Sequence, residues 1–163
     1  MKAVYSLKEL KEFRQTHPMA RIVLAGGIFD LFHAGHVKYL NFCKSQGDLL
    51  VVHVGTDASS KKHRNNKIPV NIENHRIETV KSQRCVDLVY SDNGTHRDLQ
   101  LVKALRPDVL VLSRESTSGK EIKELKKAFP KMGIVFNPRL DDGISTTSII
   151  EKIKNNHCVV PRE

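Results

Sequence analysis

The chain has no tryptophan, three tyrosines and six phenylalanines in 163 residues. That supply of aromatic faces is too small for a platform on which successive bases stack. Its three cysteines, Cys43, Cys85 and Cys158, are scattered and include no Cys-x-x-Cys pair. An odd set of this kind excludes a disulfide framework and a zinc knuckle, and reads as reduced structural thiols. No apolar run approaches the roughly 20 residues that cross a bilayer. The opening Met1-Lys-Ala-Val-Tyr-Ser-Leu-Lys-Glu lacks the apolar stretch and small-residue cleavage site of a signal peptide. A soluble, cytoplasmic protein with no membrane role is expected. Repeats, low-complexity tracts and linkers are also missing, so one domain over residues 1–154 is expected, with 155–163 as a tail.

What is present is a basic globular composition: 39% hydrophobic, 28% charged and a formal net charge of +9. Such a charge first suggests nucleic acid. Much of it is dispersed, as in Glu121 to Lys131, where Lys and Glu interleave as on a solvated helix face. One dense cluster stands out, Lys61-Lys62-His63-Arg64 with Lys67 close behind. A triphosphate or an RNA backbone would use such a cluster, and a solvated loop would also carry it; the glycine-histidine loop described below favours the triphosphate over nucleic acid.

Apolar runs alternate with amphipathic stretches along the chain. Strands are expected at Ile22 to Ala25, Leu49 to Gly55, Val86 to Tyr90, Val109 to Leu112 and Ile134 to Phe136. Helices are expected at Ser6 to Thr16, Val37 to Lys44, Ile72 to Ser82 with Asn71 as cap, Arg97 to Leu105, Glu121 to Phe129 before Pro130, and Ser145 to Lys154. Residues 56–71 read as a long polar loop. This order predicts an α/β fold: a single Rossmann-like, doubly wound parallel sheet of five strands with helices on both faces. Ligands in such sheets lie beyond the carboxyl ends of the strands, where the strand order reverses.

Directly after the first of these strands comes Gly27-Ile-Phe-Asp-Leu-Phe-His-Ala-Gly-His36. Gly27 permits a sharp turn, and Gly35 permits an anion to approach the backbone without meeting a Cβ. His33 and His36 fall on one face of the first helical turn. Amide donors, the positive end of the helix dipole and two imidazoles thus converge, as a phosphate site requires. Two ordinary helix-start histidines are the competing reading. Asp30 either orients Mg²⁺ or caps the turn, and Phe29 is expected to pack the loop or lie under a base. Near the other end, Gly143-Ile-Ser-Thr-Thr147 precedes an apolar helical run, so Ser145 and Thr146 can cap a second helix N-terminus facing the same ligand. His53 reads as a satisfied mid-strand residue; His17, His63, His96 and His157 have no motif around them. Neither Ser59, Ser60 nor any cysteine has an evident His-Asp partner, so covalent catalysis is not expected.

The two segments resemble the paired motifs of the cytidylyltransferase-like nucleotidyltransferases, a His-x-Gly-His signature and an Ile-Ser-Thr-Thr-type second motif. The likeness runs from about Tyr5 to Ile153. It implies transfer of a nucleoside monophosphate onto a phosphorylated small molecule with release of pyrophosphate. Such a reaction depends on positioning and charge stabilisation and needs no protein nucleophile. Mg²⁺ would arrive with the nucleoside triphosphate, and a homodimer is expected. The resemblance implies catalytic roles for His33, His36 and Lys62. It implies nucleotide contacts from Gly27, Ile28, Phe29, Gly35, Lys61, Arg76, Ser145 and Thr146, with no protein-bound metal; Arg114, which the family pattern lacks, is a further nucleotide-contact candidate. Arg139 resembles an arginine preceding the second motif, although the spacer Leu140-Asp141-Asp142 is one residue longer than usual. Where many relatives have a Gly-Asp pair after the fourth strand, this chain has Ser113-Arg114-Glu115-Ser116.

Three segments, Tyr5-Ser-Leu-Lys-Glu-Leu10, Gly55-Thr-Asp-Ala-Ser59 and Arg106-Pro-Asp-Val-Leu-Val111, are similar to the adenylyltransferase domain of ADP-heptose synthases. Gly27 to His33 and Arg84-Cys-Val-Asp87 are worded more like choline- or glycerol-phosphate cytidylyltransferases. ATP with a sugar 1-phosphate is therefore the expected pair. CTP with an alcohol phosphate, an FMN or pantetheine-phosphate adenylyltransferase, and a non-catalytic nucleotide- or RNA-binding protein are the alternatives.

Overall fold

The computed structural model describes residues 2–4, 6–63, 68–138 and 143–156. Along the chain these form β1 (Lys2–Val4), α1 (Leu7–Thr16), β2 (Ile22–Gly27), α2 (Ala34–Lys44), β3 (Leu49–Val54), α3 (Asp57–His63) and α4 (Glu73–Lys81). There follow β4 (Leu88–Tyr90), α5 (Leu99–Leu105), β5 (Val109–Leu112), α6 (Gly119–Ala128), β6 (Gly133–Phe136) and α7 (Thr146–Asn156). All strand pairs are parallel, in the order β1-β4-β3-β2-β5-β6. The order reverses between β2 and β5, which opens a crevice at their carboxyl ends.

Alternation along the strands divides the core in two. Val23, Ala25, Leu50 and Val52 pack with Leu40 and Cys43 of α2 and Ile77 and Val80 of α4. On the other face Leu24, Val51, Tyr90 and Leu110 pack with Leu10 of α1, Leu101 and Leu105 of α5 and Leu125 of α6. Burial on both faces is why the strands read as continuous apolar runs.

The five expected strands are present, and β1 adds a sixth at the edge beside β4. Three residues are too few to display a period. Two further expectations are corrected. Residues 57–63 form helix α3 rather than loop, with Thr56 Oγ1 accepting the Ser59 amide at 3.0 Å. Asn71 does not cap α4: Ile72 occupies the cap position without a side-chain bond, while the Asn71 amide goes to Asp30 and its carbonyl to Arg76. Ser6 caps α1 as expected, through the Glu9 amide. Ser118 and Glu121 form a reciprocal capping box on α6.

The carboxyl ends of β2 and β3 are joined through Arg76. Its side chain is fully buried. The guanidinium donates to the carbonyls of Asn71 (3.0 Å), Ile28 (2.6 Å) and Gly55 (2.8 Å) and to Asp57 Oδ1 (2.6 Å). Replacing it by Met would take the donor from three backbone carbonyls, while the half-exposed Asp57 carboxylate would turn to water. Arg76→Met is expected to destabilise the fold by about 3 kcal/mol or more, since each buried acceptor left unsatisfied costs about 1–3 kcal/mol. A lower urea midpoint at unchanged m-value would show it.

Candidate active site

The loop leaving β2 carries two non-glycine residues in left-handed conformation, Phe29 (φ 56°) and Leu31 (φ 42°). Such backbone persists only where its surroundings hold it. Arg76 grips the Ile28 carbonyl. The Asp30 carboxylate accepts the amides of Leu31, Val70 and Asn71 at 2.9–3.0 Å, so the capping reading of Asp30 is the one realised. Phe29 is buried beneath the loop, its ring 5.4 Å from that of His36 and 6.3 Å from that of Tyr39.

The loop ends on a cap made of imidazoles. His33 is the N-cap of α2, and its Nδ1 accepts the Gly35 amide at 3.1 Å. The Nδ1 of His36 accepts the His33 amide at 3.3 Å, and the rings stack with centroids 3.9 Å apart. A nitrogen that accepts an amide proton carries none itself, so in the neutral rings the proton sits on Nε2. Both residues line a cavity of about 630 Å³ at the carboxyl edge of the sheet.

The second motif meets the first there. Ser145 Oγ accepts the Ser148 amide at 3.1 Å and so caps the start of α7. Thr146 Oγ1 donates to the Asp30 carbonyl at 2.9 Å. Gly27, Ile28, Phe29, Gly35, Ser145 and Thr146 all line the cavity with the two histidines, so two helix N-termini face one space, as the sequence led us to expect.

Other expected contacts lie elsewhere. Lys61 and Lys62 are exposed on α3 and are not in the cavity wall. Arg76 spends its donors on the protein, one layer behind the wall. Arg114 is exposed, with its guanidinium 4.3 Å above the Phe136 ring. Arg139 falls outside the described residues. Among the described residues, no group of three His, Cys, Asp or Glu side chains is placed to hold a metal.

The rest of the wall was not foreseen. His53, buried in β3, places Nε2 2.9 Å from Asp92 Oδ1. Asp92 also accepts Tyr90 Oη–H at 2.7 Å and the Gly94 amide at 2.8 Å. Burial alone would raise the Asp92 pKa, but the bonds from His53, Tyr90 and Gly94 outweigh it and bring the carboxyl down to about 2. His96 lies against Gly26, where a Cβ would come within 2.5 Å of its ring. Burial, reinforced by His53 and Arg97 nearby, holds its imidazole far below the usual range, at about 3. Arg97 pins the segment before α6 through the Ser116 carbonyl and Thr117 Oγ1. Two buried atoms in this wall make no hydrogen bond: Arg97 Nε, which is ion-paired with Glu121 Oε1 at 3.5 Å, and Asn137 Oδ1. Buried polar atoms are rarely left so, and a ligand would satisfy them.

Known proteins point the same way. Residues 24–152 match the family model described as cytidylyltransferase-like. The chain is 35% identical over 156 residues to the bifunctional protein HldE of Helicobacter pylori strain HPAG1, covering 94% of this chain and 32% of that protein. It is 37% identical over 154 residues to HldE of Campylobacter concisus, covering 92% and 30%. This chain thus spans about a third of the curated relatives it matches. A Thermoplasma volcanium structure described as a lipopolysaccharide core biosynthesis protein superposes with a TM-score of 0.63 at 31% identity, over 75% of this chain and 99% of that one. Pantoate-beta-alanine ligase from Francisella tularensis shares the fold at 16% identity, with a TM-score of 0.61 over 100% of this chain and 80% of that one. Family model, relatives and motif geometry agree: the chain belongs to the cytidylyltransferase-like family.

Proposed function

We propose that this nucleotidyltransferase moves AMP from ATP onto the phosphate of a sugar 1-phosphate. An acceptor phosphate oxygen bonds to the α-phosphorus in line with the departing group. The bond from the α-phosphorus to the bridging oxygen breaks, and pyrophosphate leaves. The attacking oxygen is already anionic, so no strong base is needed. Catalysis reduces to alignment and to stabilising charge on the phosphates.

The observation that carries this reading is the imidazole cap of α2. Its backbone bonds orient both rings and direct their protons to Nε2 at a helix N-terminus in the cavity wall. Donors fixed in advance cost no reorganisation as charge develops. Asp30 is taken up by three amides, which supports Mg²⁺ arriving with the triphosphate as part of the substrate. ATP and a sugar phosphate are preferred on the wording of residues 5–10, 55–59 and 106–111 and on the HldE relatives. Lys61 and Lys62 of α3 are proposed to reach the β and γ phosphates of the bound triphosphate.

Three measurements test this function. His33→Asn, which keeps a capping oxygen, and His36→Ala should each lower turnover about 100-fold, read as pyrophosphate release with each NTP, Mg²⁺ and a panel of sugar and alcohol phosphates. Near-normal turnover in both variants would remove the proposed mechanism. Lys62→Ala should raise KM for the NTP several-fold and leave acceptor KM nearly unchanged. ATP should bind more tightly than CTP by calorimetry, since a mismatched base leaves buried donors and acceptors unpaired. Tighter CTP binding with a CDP-alcohol product would instead establish the cytidylyltransferase reading.

A further inference from the structure

Two phosphorylated substrates bring several negative charges into one cavity, and charge that leaves water has to be met by cations or fixed donors. The wall supplies few cations. Lys61, Lys62 and Arg114 stand outside it, and Arg76 lies behind it with its charge engaged by Asp57. Among the described residues, Arg97 is the one Lys or Arg side chain that lines the cavity. The one acid in the same wall, Asp30, is occupied by three amides. Arg97 follows His96, whose ring abuts Gly26 on β2, and reaches across to Ser116 and Thr117 in the segment after β5. It therefore stands at the crevice where β2 and β5 meet, the place at which such sheets take their ligands.

We propose that Arg97 binds a phosphate group of the substrates, as the permanent cation of the cavity wall. Its guanidinium is held from two directions. Nη1 donates to the Ser116 carbonyl and to Thr117 Oγ1 at 3.1 Å, which fixes the plane of the fork. Nε faces Glu121 Oε1 at 3.5 Å without a hydrogen bond. Nη2 makes no bond among the described residues, and 17% of the side chain stays exposed. One edge of an oriented cation is thus left for an anion. Glu121 does not cancel the charge: its Oε2 is taken by the Ser118 amide and hydroxyl in the cap of α6, and the side chain is 40% exposed, so the pair is weak. Behind Arg97 lies a smaller cavity of about 260 Å³ lined by Asp98, Glu121 and Glu124. Three carboxylates repel an anion from that side, which leaves the large cavity as the side from which a phosphate meets the guanidinium.

This inference rests on the transferase reading for its anionic substrates, and binding tests it separately from turnover. Wild type, Arg97→Gln and Glu121→Gln would be titrated by calorimetry with inorganic pyrophosphate, glucose 1-phosphate and the uncharged nucleosides adenosine and cytidine. Arg97→Gln should weaken pyrophosphate or glucose 1-phosphate about tenfold, the scale of a hydrogen bond to a charged group, and change the nucleosides less than about twofold. The ligand that loses affinity identifies whether the phosphate held is that of the triphosphate or of the acceptor. Raising salt from about 50 to 500 mM should weaken that ligand in wild type and much less in Arg97→Gln. Glu121→Gln keeps the capping box, in which Gln serves as well as Glu, and removes the charge that competes for Arg97. It should tighten the same ligand about twofold, whereas a purely structural Arg97–Glu121 pair requires both variants to weaken it. Should Arg97→Gln fail to fold, the sign of the Glu121→Gln effect decides. Unchanged affinity for both phosphate ligands in Arg97→Gln, equal loss on the nucleosides, weakening in Glu121→Gln, or no binding of either phosphate ligand by wild type overturns the inference. Absence of pyrophosphate release with every NTP, with the binding pattern intact, instead overturns the transferase reading.

Discussion

Everything at the carboxyl edge of the sheet is referred to one buried cation. A guanidinium out of water is tolerable only when its donors are met, and Arg76 meets its own on the Ile28 and Gly55 carbonyls, the Asn71 carbonyl and Asp57. Those groups sit just past β2, just past β3, ahead of α4 and at the start of α3. Their mutual positions are therefore set by a planar fork with little freedom of its own. The left-handed Phe29 and Leu31 follow within three residues of the Ile28 grip, and the Asp30 carboxylate completes the restraint. The site loop is stiff because its backbone is anchored from behind.

Upon that base, α2 begins with an unusual cap. Ser, Thr, Asp and Asn are the common caps because they offer a short acceptor to an exposed amide. Imidazole offers the same acceptor and keeps a second nitrogen on the far side of the ring. His33 and His36 each spend Nδ1 on the backbone at the start of α2 and also line the cavity.

Much of this was legible in the sequence. Continuous apolar runs separated by amphipathic stretches announced the parallel sheet, and the ten residues from Gly27 to His36 announced the loop and helix start that line the cavity, because those signals are local. The edge strand Lys2–Val4 was not legible, since a period cannot be seen in three residues. Helix α3 was hidden by the polarity of Asp57 to His63. Arg76 looked like a ligand residue, because sequence does not reveal whether a guanidinium faces a cavity or the carbonyls behind it. The wall of His53, His96, Arg97 and Asn137, with Asp92 behind His53, had no sequence signal. It is assembled from β3, the β4–α5 connection and the end of β6, and becomes adjacent only once the sheet order brings those ends together.

The contact between Gly26 and the His96 ring reaches beyond this molecule. A Cβ at position 26 would lie 2.5–2.6 Å from three ring atoms, a distance that no small adjustment of an imidazole relieves. Positions 26 and 96, seventy residues apart, are therefore not independent characters in evolution. A lineage that acquires a side chain at 26 must move or shrink the residue at 96, and one that keeps the ring is confined to glycine on β2. Among homologues the two columns should vary together, and each pairing should mark a differently shaped floor beneath the ligand.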